Sequence, residues 1–255
     1  MSTRFERFLS DFSEERTMRM VPSAVWVGLA VLGFLPMTAL AAETGEGSGL
    51  YLRLDAGGAV SNSVGGDIFR GTGFGNDFGS SFAADIGIGA AVPVRVPGLA
   101  FRGDAMVGYL PSFGADHNAQ SSAGTLGVHT SISVWTGMAN AYADIDTGSP
   151  WTPFVGFGVG VASVDLSRLN YTLRGVSNAS ESGTTRTNFA WSAMAGLGYK
   201  ITPSLTSEIG YRYLDAGTVR SSGAVTLFNG VTVSQPPLQN ELTVHEFTVG
   251  LRYTF

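Results

Sequence analysis

Apolar and polar residues alternate along most of the chain after residue 49, in segments bounded by glycine, proline and other turn-forming residues. Alternation with a period of two is typical of strands whose two faces meet different environments. Eight segments follow this pattern: 50–60, 82–92, 99–110, 128–144, 154–164, 189–200, 205–214 and 241–255. In the fifth segment, for example, Val155, Phe157 and Val159 alternate with glycines. The pattern therefore predicts an all-β fold of eight strands.

The connections between these segments alternate in length. Three of them are short, covering 94–98, 146–150 and 201–204. Four are long and polar, covering 61–81, 111–127, 165–188 and 215–240. Short turns at one end and long loops at the other are typical of outer-membrane barrels, in which the short turns are periplasmic. We therefore expect an antiparallel, up-and-down transmembrane β-barrel of eight strands with both termini in the periplasm.

The polar faces of the strands carry charges of both signs at strand-interior positions. Charges on one face and apolar side chains on the other suit a polar lumen and a lipid-facing exterior. We expect a cluster in the lumen that contains Arg53, Asp55, Asp85, Arg102, Asp104, Asn140, Asp144, Glu208, Arg212, Glu246 and Arg252. Of these, Asp85, Arg212 and Glu246 lie on the extracellular side of the others. Because eight strands enclose little space, an ion-pair plug is favoured over a gated ion path.

Aromatic residues near the strand ends predict the girdles that mark the two membrane surfaces. The candidates are Tyr51, Tyr109, Trp151 and Tyr199. The last strand contains one irregularity, because Leu242 and Val244 are out of phase with the apolar positions from Phe247 onward. This break in phase predicts a bulge or an extension beyond the membrane.

Composition narrows the classes of function. The chain has no cysteine, which excludes disulfides, cysteine-ligated zinc and thiol nucleophiles. Its net charge is −5 and it has no Lys/Arg-rich run, so nucleic acid is not an expected partner. Neither the glycine-rich segments nor the three histidines form a recognisable phosphate or metal site, and no cofactor is expected.

The N-terminus has the features of an export signal. Arg16 and Arg19 precede an apolar run over 21–35, and the run is followed by Ala39-Leu40-Ala41. This is the order of a signal peptide that is cleaved after Ala41, although an uncleaved anchor is an alternative. We expect residues 1–41 to be the signal peptide, with 1–17 upstream of a start at Met18 or Met20. Residues 42–48 would then be a linker to a barrel over 49–255.

Several stretches resemble the alphaproteobacterial outer-membrane surface-antigen family, which belongs with opacity proteins and the OmpA-type transmembrane domain. They are Leu52-Arg53-Leu54-Asp55, the segments 138–144, 153–160 and 189–191, Gly210-Tyr211-Arg212-Tyr213, and the end, 245–255. The resemblance implies eight strands, an outer-membrane location and no known reaction. It also implies that Phe255 and Tyr253 form the signal read by the barrel-assembly machinery. No peptidoglycan-binding domain is expected after the last strand.

We expect a structural and surface-antigen role rather than an enzyme. The expected partners are outer-membrane lipid, lipopolysaccharide, the assembly machinery and, through the long loops, a host or a phage. A narrow channel is the main alternative. A lipid-modifying hydrolase would need His129 and Ser131, which share a strand face, together with a carboxylate. A soluble lipocalin-like binder would need an apolar cavity, which the charged strand faces disfavour. Arg102-Gly103-Asp104 spells an adhesion tripeptide, but it lies within a predicted strand.

Overall fold

The computed structural model describes residues 49–61, 63–67, 73–77, 79–121, 124–173, 176–227, 229–234, 237 and 239–255. The predicted signal peptide, with its cleavage site at Ala39 and Ala41, and the predicted linker lie outside the described residues. Within the described part of the chain, no helix is long and apolar enough to span a bilayer.

Eight long strands make up the body of the molecule, and each contains nearly all of one predicted segment. They are β1 Leu50–Ser61, β2 Ser80–Val96, β3 Leu99–Ser121, β4 Gly124–Ile145, β5 Trp151–Leu166, β6 Thr184–Lys200, β7 Leu205–Arg220 and β8 Gln239–Thr254. The prediction of an all-β fold with eight main strands is confirmed.

These strands close into a ring in which every neighbouring pair is antiparallel. Each strand pairs with the next one along the chain, and β1 pairs with β8 to close the barrel. A closed ring leaves no edge of backbone N–H and C=O groups unpaired in hydrocarbon. The short connections 97–98, 146–150 and 201–204 lie at the same end as Leu50 and Phe255. The described parts of the long connections lie at the opposite end.

The outer face of the ring carries a band of exposed apolar side chains. On β8 the outward positions Phe247, Val249, Leu251, Tyr253 and Phe255 are exposed and apolar. The outward positions beyond them, His245, Thr243 and Glu241, are polar. Nine strand residues tilted as in known barrels span about 23 Å along the membrane normal. This height matches the hydrocarbon layer, so the band is the surface that faces lipid.

Strand structure continues well beyond this band on the loop side. β3 and β4 pair as far as Ser121 and Gly124, so the prediction of a long polar loop over 111–127 is wrong. The cause is local pairing, because polar residues that leave the membrane can still complete a β-ladder with a neighbouring strand. Of this predicted loop, only residues 122 and 123 lie outside the described chain.

Short strands from the other long connections extend the wall that β3 and β4 form. In spatial order after β4 they are Leu169–Leu173, Val176–Glu181, Ala224–Leu227 and Thr232–Ser234. We call these four strands, with the upper ends of β3 and β4, the extracellular sheet. A separate hairpin pairs Ser63–Asp67 with Gly73–Asp77.

Glycines on β5 make room for large inward side chains of β4. Gly156, Gly158 and Gly160 pair with Tyr142, Asn140 and Met138. A Cβ atom built at any of the three glycines would collide with the side chain of its partner. The alternating glycines of this segment are therefore required by close packing inside a narrow barrel.

Candidate functional site

The periplasmic half of the lumen is organised around one carboxylate, Glu208. Its Oε1 atom lies 2.8 Å from Nε of Arg252 and 3.5 Å from Nη2 of Arg102. Its Oε2 atom lies 3.4 Å from Nη2 of Arg53. Glu208 is buried, so three guanidinium groups share a single partner away from bulk water. Attraction between opposite charges is strong in such surroundings, and the partners depend on one another.

The same arginines reach a second set of acids. Nε of Arg53 lies 2.8 Å from Asp55, and its Nη1 lies 3.9 Å from Asp104. Nε of Arg102 donates to Asp144 at 3.0 Å. The side-chain amide of Asn140 donates to Asp104 at 2.8 Å. The structure thus brings together eight of the eleven predicted lumen residues, which we call the lower cluster.

Aromatic rings pack against the guanidinium groups of the lower cluster. The Arg102 guanidinium lies 4.0 Å from the ring centre of Tyr142 and 5.2 Å from that of Phe154. Cation–π contacts of this kind are favourable where the cation is desolvated. Neither ring was predicted to belong to the cluster, although Tyr142 has the same strand phase as Asn140 and Asp144, and this phase is visible in the sequence.

Tyr51 also belongs to this cluster, so its prediction as a girdle residue is wrong. Only 1% of its surface is exposed, and its hydroxyl lies 3.2 Å from Asp104. The Arg252 guanidinium lies 5.4 Å from the centre of its ring. The reason is the strand period, because Tyr51 is two residues from Arg53 and therefore shares its inward face.

A second group, the upper cluster, contains the remaining three predicted lumen residues. Nη2 of Arg212 donates to both oxygens of Asp85, at 2.9 and 3.0 Å. Nε of Arg212 donates to Glu246 at 2.8 Å, and Nη2 contacts the same oxygen. All three side chains are buried. They lie on the extracellular side of the lower cluster, as the strand directions predict.

Between the two clusters lies a cavity of only about 20 Å³. Arg53 and Asp55 line it from below, and Asp85 and Arg212 from above. A volume of this size is sufficient for about one water molecule. The described part of the lumen therefore holds four arginines and six acidic side chains in contact, with this small cavity between the two clusters.

Above the upper cluster the lumen is apolar. On β4 the inward positions change from Asp144, Tyr142 and Asn140 to Val134 and Ile132. The fully buried members of this apolar layer include Leu110, Phe113, Ile132, Val134, Leu214, Leu242 and Val244. A tightly packed apolar layer excludes hydrated ions. The lumen is therefore closed at two levels, by the ion-pair clusters below and by the apolar layer above.

The apolar layer also explains the irregular phase of β8. The pairing of β8 with β7 is continuous from Thr243 to Tyr253, so of the two predicted explanations the bulge on β8 is absent from that stretch. The strand instead extends beyond the lipid-facing band, since it begins at Gln239. Leu242 and Val244 point inward like Glu246 and belong to the apolar layer. The register shift at this level lies on β7, between Asp215 and Thr218, where Gly217 has a φ of 74°. Glycine adopts this conformation without steric cost.

The other girdle candidates lie on the outer face at two levels. Trp151 packs against Tyr199 near the periplasmic end, with ring centres 4.7 Å apart. Tyr109 stacks on Trp135 near the extracellular end, with ring centres 4.3 Å apart. Four outward rings of the extracellular level were not among the predicted girdle residues: Trp135, Trp191, Tyr211 and Tyr213. Their common signal is that each of them is among the last apolar outward positions before polar residues begin.

Above the membrane, a buried carboxylate joins two long loops. Glu181 is 0% exposed and accepts hydrogen bonds from the Tyr171 hydroxyl at 3.1 Å and the Ser222 hydroxyl at 3.0 Å. It also accepts one from the Gly223 backbone N–H at 2.6 Å. A carboxylate that accepts several hydrogen bonds in a buried place fixes the segments that carry the donors. This contact fastens the loop after β7 to the loop after β5.

The hydrolase candidates lie on this same extracellular region. His129 is exposed, and the Ser131 hydroxyl donates to the Ser167 hydroxyl at 3.0 Å. Ser131 also binds Ser167 through its backbone N–H, at 2.9 Å. In a nucleophilic pair the serine hydroxyl would donate to the histidine. The described contacts of Ser131 instead serve to join β4 to the upper end of β5.

The predicted assembly signal lies at the end of β8. Tyr253 and Phe255 are exposed on the outer face, and their ring centres are 5.3 Å apart. The Phe255 backbone N–H donates to the Leu50 carbonyl at 2.9 Å. The chain end is therefore fixed at the seam where β1 meets β8.

Comparison with known proteins agrees with this architecture. The family described as "Outer membrane protein beta-barrel domain" matches residues 27–255. The chain belongs to this family. Membership places it in the outer membrane of a Gram-negative bacterium and confirms the predicted location and barrel class.

Relatives and a solved structure share this barrel. A predicted adhesin of Rickettsia felis is 25% identical over 207 residues, which cover 81% of this chain and 88% of that protein. The outer membrane protein PagN of Salmonella typhimurium is 28% identical over 130 residues, covering 51% of this chain and 53% of that protein. The outer membrane protease OmpT of Escherichia coli superimposes with a TM-score of 0.50 at 11% identity, covering 83% of this chain and 98% of that chain. The last similarity concerns the fold alone.

Proposed function

We propose that this protein is a closed structural barrel that displays a rigid extracellular sheet as an interaction surface. The observation that carries this proposal is the filled lumen. The interior is occupied by two ion-pair clusters with a cavity of about 20 Å³ between them, and by a buried apolar layer above the upper cluster. A lumen of this kind suits an anchor better than it suits a pore.

The extracellular sheet supplies the displayed surface. Its inward face is buried through Leu169, Tyr171 and Val225, and the Glu181 hydrogen bonds hold its two loops together. A surface that is already ordered loses little conformational entropy when a partner binds. The similarity to a predicted adhesin over 81% of this chain supports contact with a host surface as the use of this sheet.

We further propose that the protein acts without catalysis. In the described extracellular region, Ser131 and Ser167 bind each other and stabilise the junction of β4 with β5. The lumen carboxylates are engaged by arginines, and the cavity between the two clusters is too small for a substrate. The functional surface is then the extracellular sheet and the loops that carry it.

Conductance of the refolded barrel in a planar bilayer tests the closed lumen. We expect no stable current steps, because hydrated ions would have to cross both ion-pair clusters and the apolar layer. Folding is verified in the same sample by the gel shift that barrels show on heating. Reproducible single-channel steps from folded protein would contradict the proposal and favour the channel alternative.

Replacing Phe255 with alanine tests the proposed assembly signal. We expect a several-fold lower amount of folded protein in the outer membrane, with export to the periplasm unchanged. Phe247→Ala is the matched control, because both rings are lipid-facing and are 61% and 62% exposed. Equal abundance of the two variants in fractionated membranes would show that the terminal ring has no special role.

A further inference from the structure

The outer face of β4 changes character as it leaves the membrane. Trp135 is its last aromatic outward residue, and the outward positions beyond it are Ser133, Ser131 and His129. Ser131 lies four residues beyond Trp135, and this corresponds to a rise of about 10 Å along a strand tilted as in known barrels. Aromatic girdles lie at the level of lipid headgroups. The face around Ser131 therefore lies beside the layer of headgroup sugars.

This polar face continues sideways across the extracellular sheet. Thr232, Thr226, Ser180, Asn170 and His129 are successive cross-strand partners on five strands. Directly opposed residues point to the same side of a sheet, and the Thr226 and Thr232 hydroxyls are 3.0 Å apart. The result is a row of hydroxyl, amide and imidazole groups that ends above β4.

One unneutralised cation stands at the β4 end of this row. Arg168 follows Ser167, whose hydroxyl binds Ser131, and it precedes Asn170 by two residues. It is exposed and forms no ion pair with another described residue, whereas Arg53, Arg102, Arg212 and Arg252 are all paired inside the lumen. The neighbouring acid, Asp165, accepts a hydrogen bond from Thr185 on the β6 side, at 3.0 Å.

We propose that this face binds the anionic sugar headgroup of a glycolipid in the outer leaflet around the barrel. Arg168 binds a phosphate of the headgroup, since a guanidinium forms paired hydrogen bonds with such a group. Asn170, His129 and the hydroxyl row bind sugar hydroxyls. At the β4 end of this face, the charge, the height above Trp135 and the outward orientation match a lipid neighbour.

The test uses the full chain, refolded in micelles that contain no glycolipid and titrated with purified rough-type lipopolysaccharide. Arg168→Gln should weaken binding about tenfold, as expected for loss of one charge-assisted contact. Asn170→Ala should weaken it about threefold, as expected for one neutral hydrogen bond. Arg186→Gln is the matched control, because Arg186 is also exposed, extracellular and without an ion pair in the described chain. Arg186 lies on β6 opposite the buried Val164 of β5, so it points to the inner side of the wall and not toward lipid.

The expected result is that Arg186→Gln binds within about twofold of the parent and that dephosphorylated lipopolysaccharide binds the parent weakly. Equal losses for Arg168→Gln and Arg186→Gln would overturn the proposal by showing nonspecific attraction. Tight binding of a soluble sulfated polysaccharide without binding of lipopolysaccharide would overturn it in favour of an external partner. All three variants change exposed side chains, and their gel shift on heating verifies that each is folded.

Discussion

Replacing Glu208 with alanine is expected to lower the free energy of unfolding by about 3–5 kcal/mol, the cost typical of breaking a buried ion pair. The loss is large because Arg53, Arg102 and Arg252 all contact this carboxylate. After the change, three positive charges remain together in the buried lower half of the lumen. Asp55, Asp104 and Asp144 retain their own contacts but cannot take the central position that Glu208 occupies.

The measurement is urea unfolding of the barrel in lipid vesicles, followed by the heat-dependent gel shift. Glu208→Gln separates charge from shape, because glutamine keeps the volume and removes the negative charge. Glu241→Ala is the control, since Glu241 is an exposed acid on β8, and it should change stability by less than about 0.5 kcal/mol. An effect of Glu208→Ala no larger than that of Glu241→Ala would show that Glu208 does not organise the lower cluster.

Replacing Gly158 with valine is expected to prevent assembly or to destabilise the barrel by more than about 3 kcal/mol. A Cβ atom at Gly158 would overlap the side-chain amide oxygen of Asn140 and lie 2.6 Å from the Ser192 hydroxyl. Asn140 would have to move and give up its hydrogen bond to Asp104, and the interior has no space to receive it.

Gly58→Val provides the matched control, because a Cβ atom there meets nothing within 4 Å on the outer face. The amount of heat-modifiable protein recovered from refolding measures the outcome. Asn140→Ala in the Gly158→Val background should restore part of the folded fraction, because it removes the principal obstacle. If both valine variants refold equally well, glycine is not needed on β5 for packing.

The alternation of the chain determined the strands, their order of connection and the sorting of side chains between lumen and lipid. These features follow from local geometry, since successive residues of a strand point to opposite faces. Arg53 and Asp55 thus had to share a face, as did Glu208 and Arg212. The same rule places Tyr51 in the lumen. The sequence therefore contained the information that contradicts its prediction as a girdle residue.

Only the closed barrel decided which charges meet. Arg212 and Asp85 are 127 residues apart and contact each other because the ring closes and places β2 and β7 across one lumen. The lining of the lumen changes from polar to apolar above Glu246. This change depends on height in the barrel, which the alternation of the chain does not encode. Pairing of β3 with β4 as far as Ser121 was also decided by partners, because a polar segment becomes a strand where another strand offers its backbone. The alternation of apolar and polar residues specifies the strand face on which a side chain lies. The height of that side chain in the barrel and its contact partner are properties of the assembled ring.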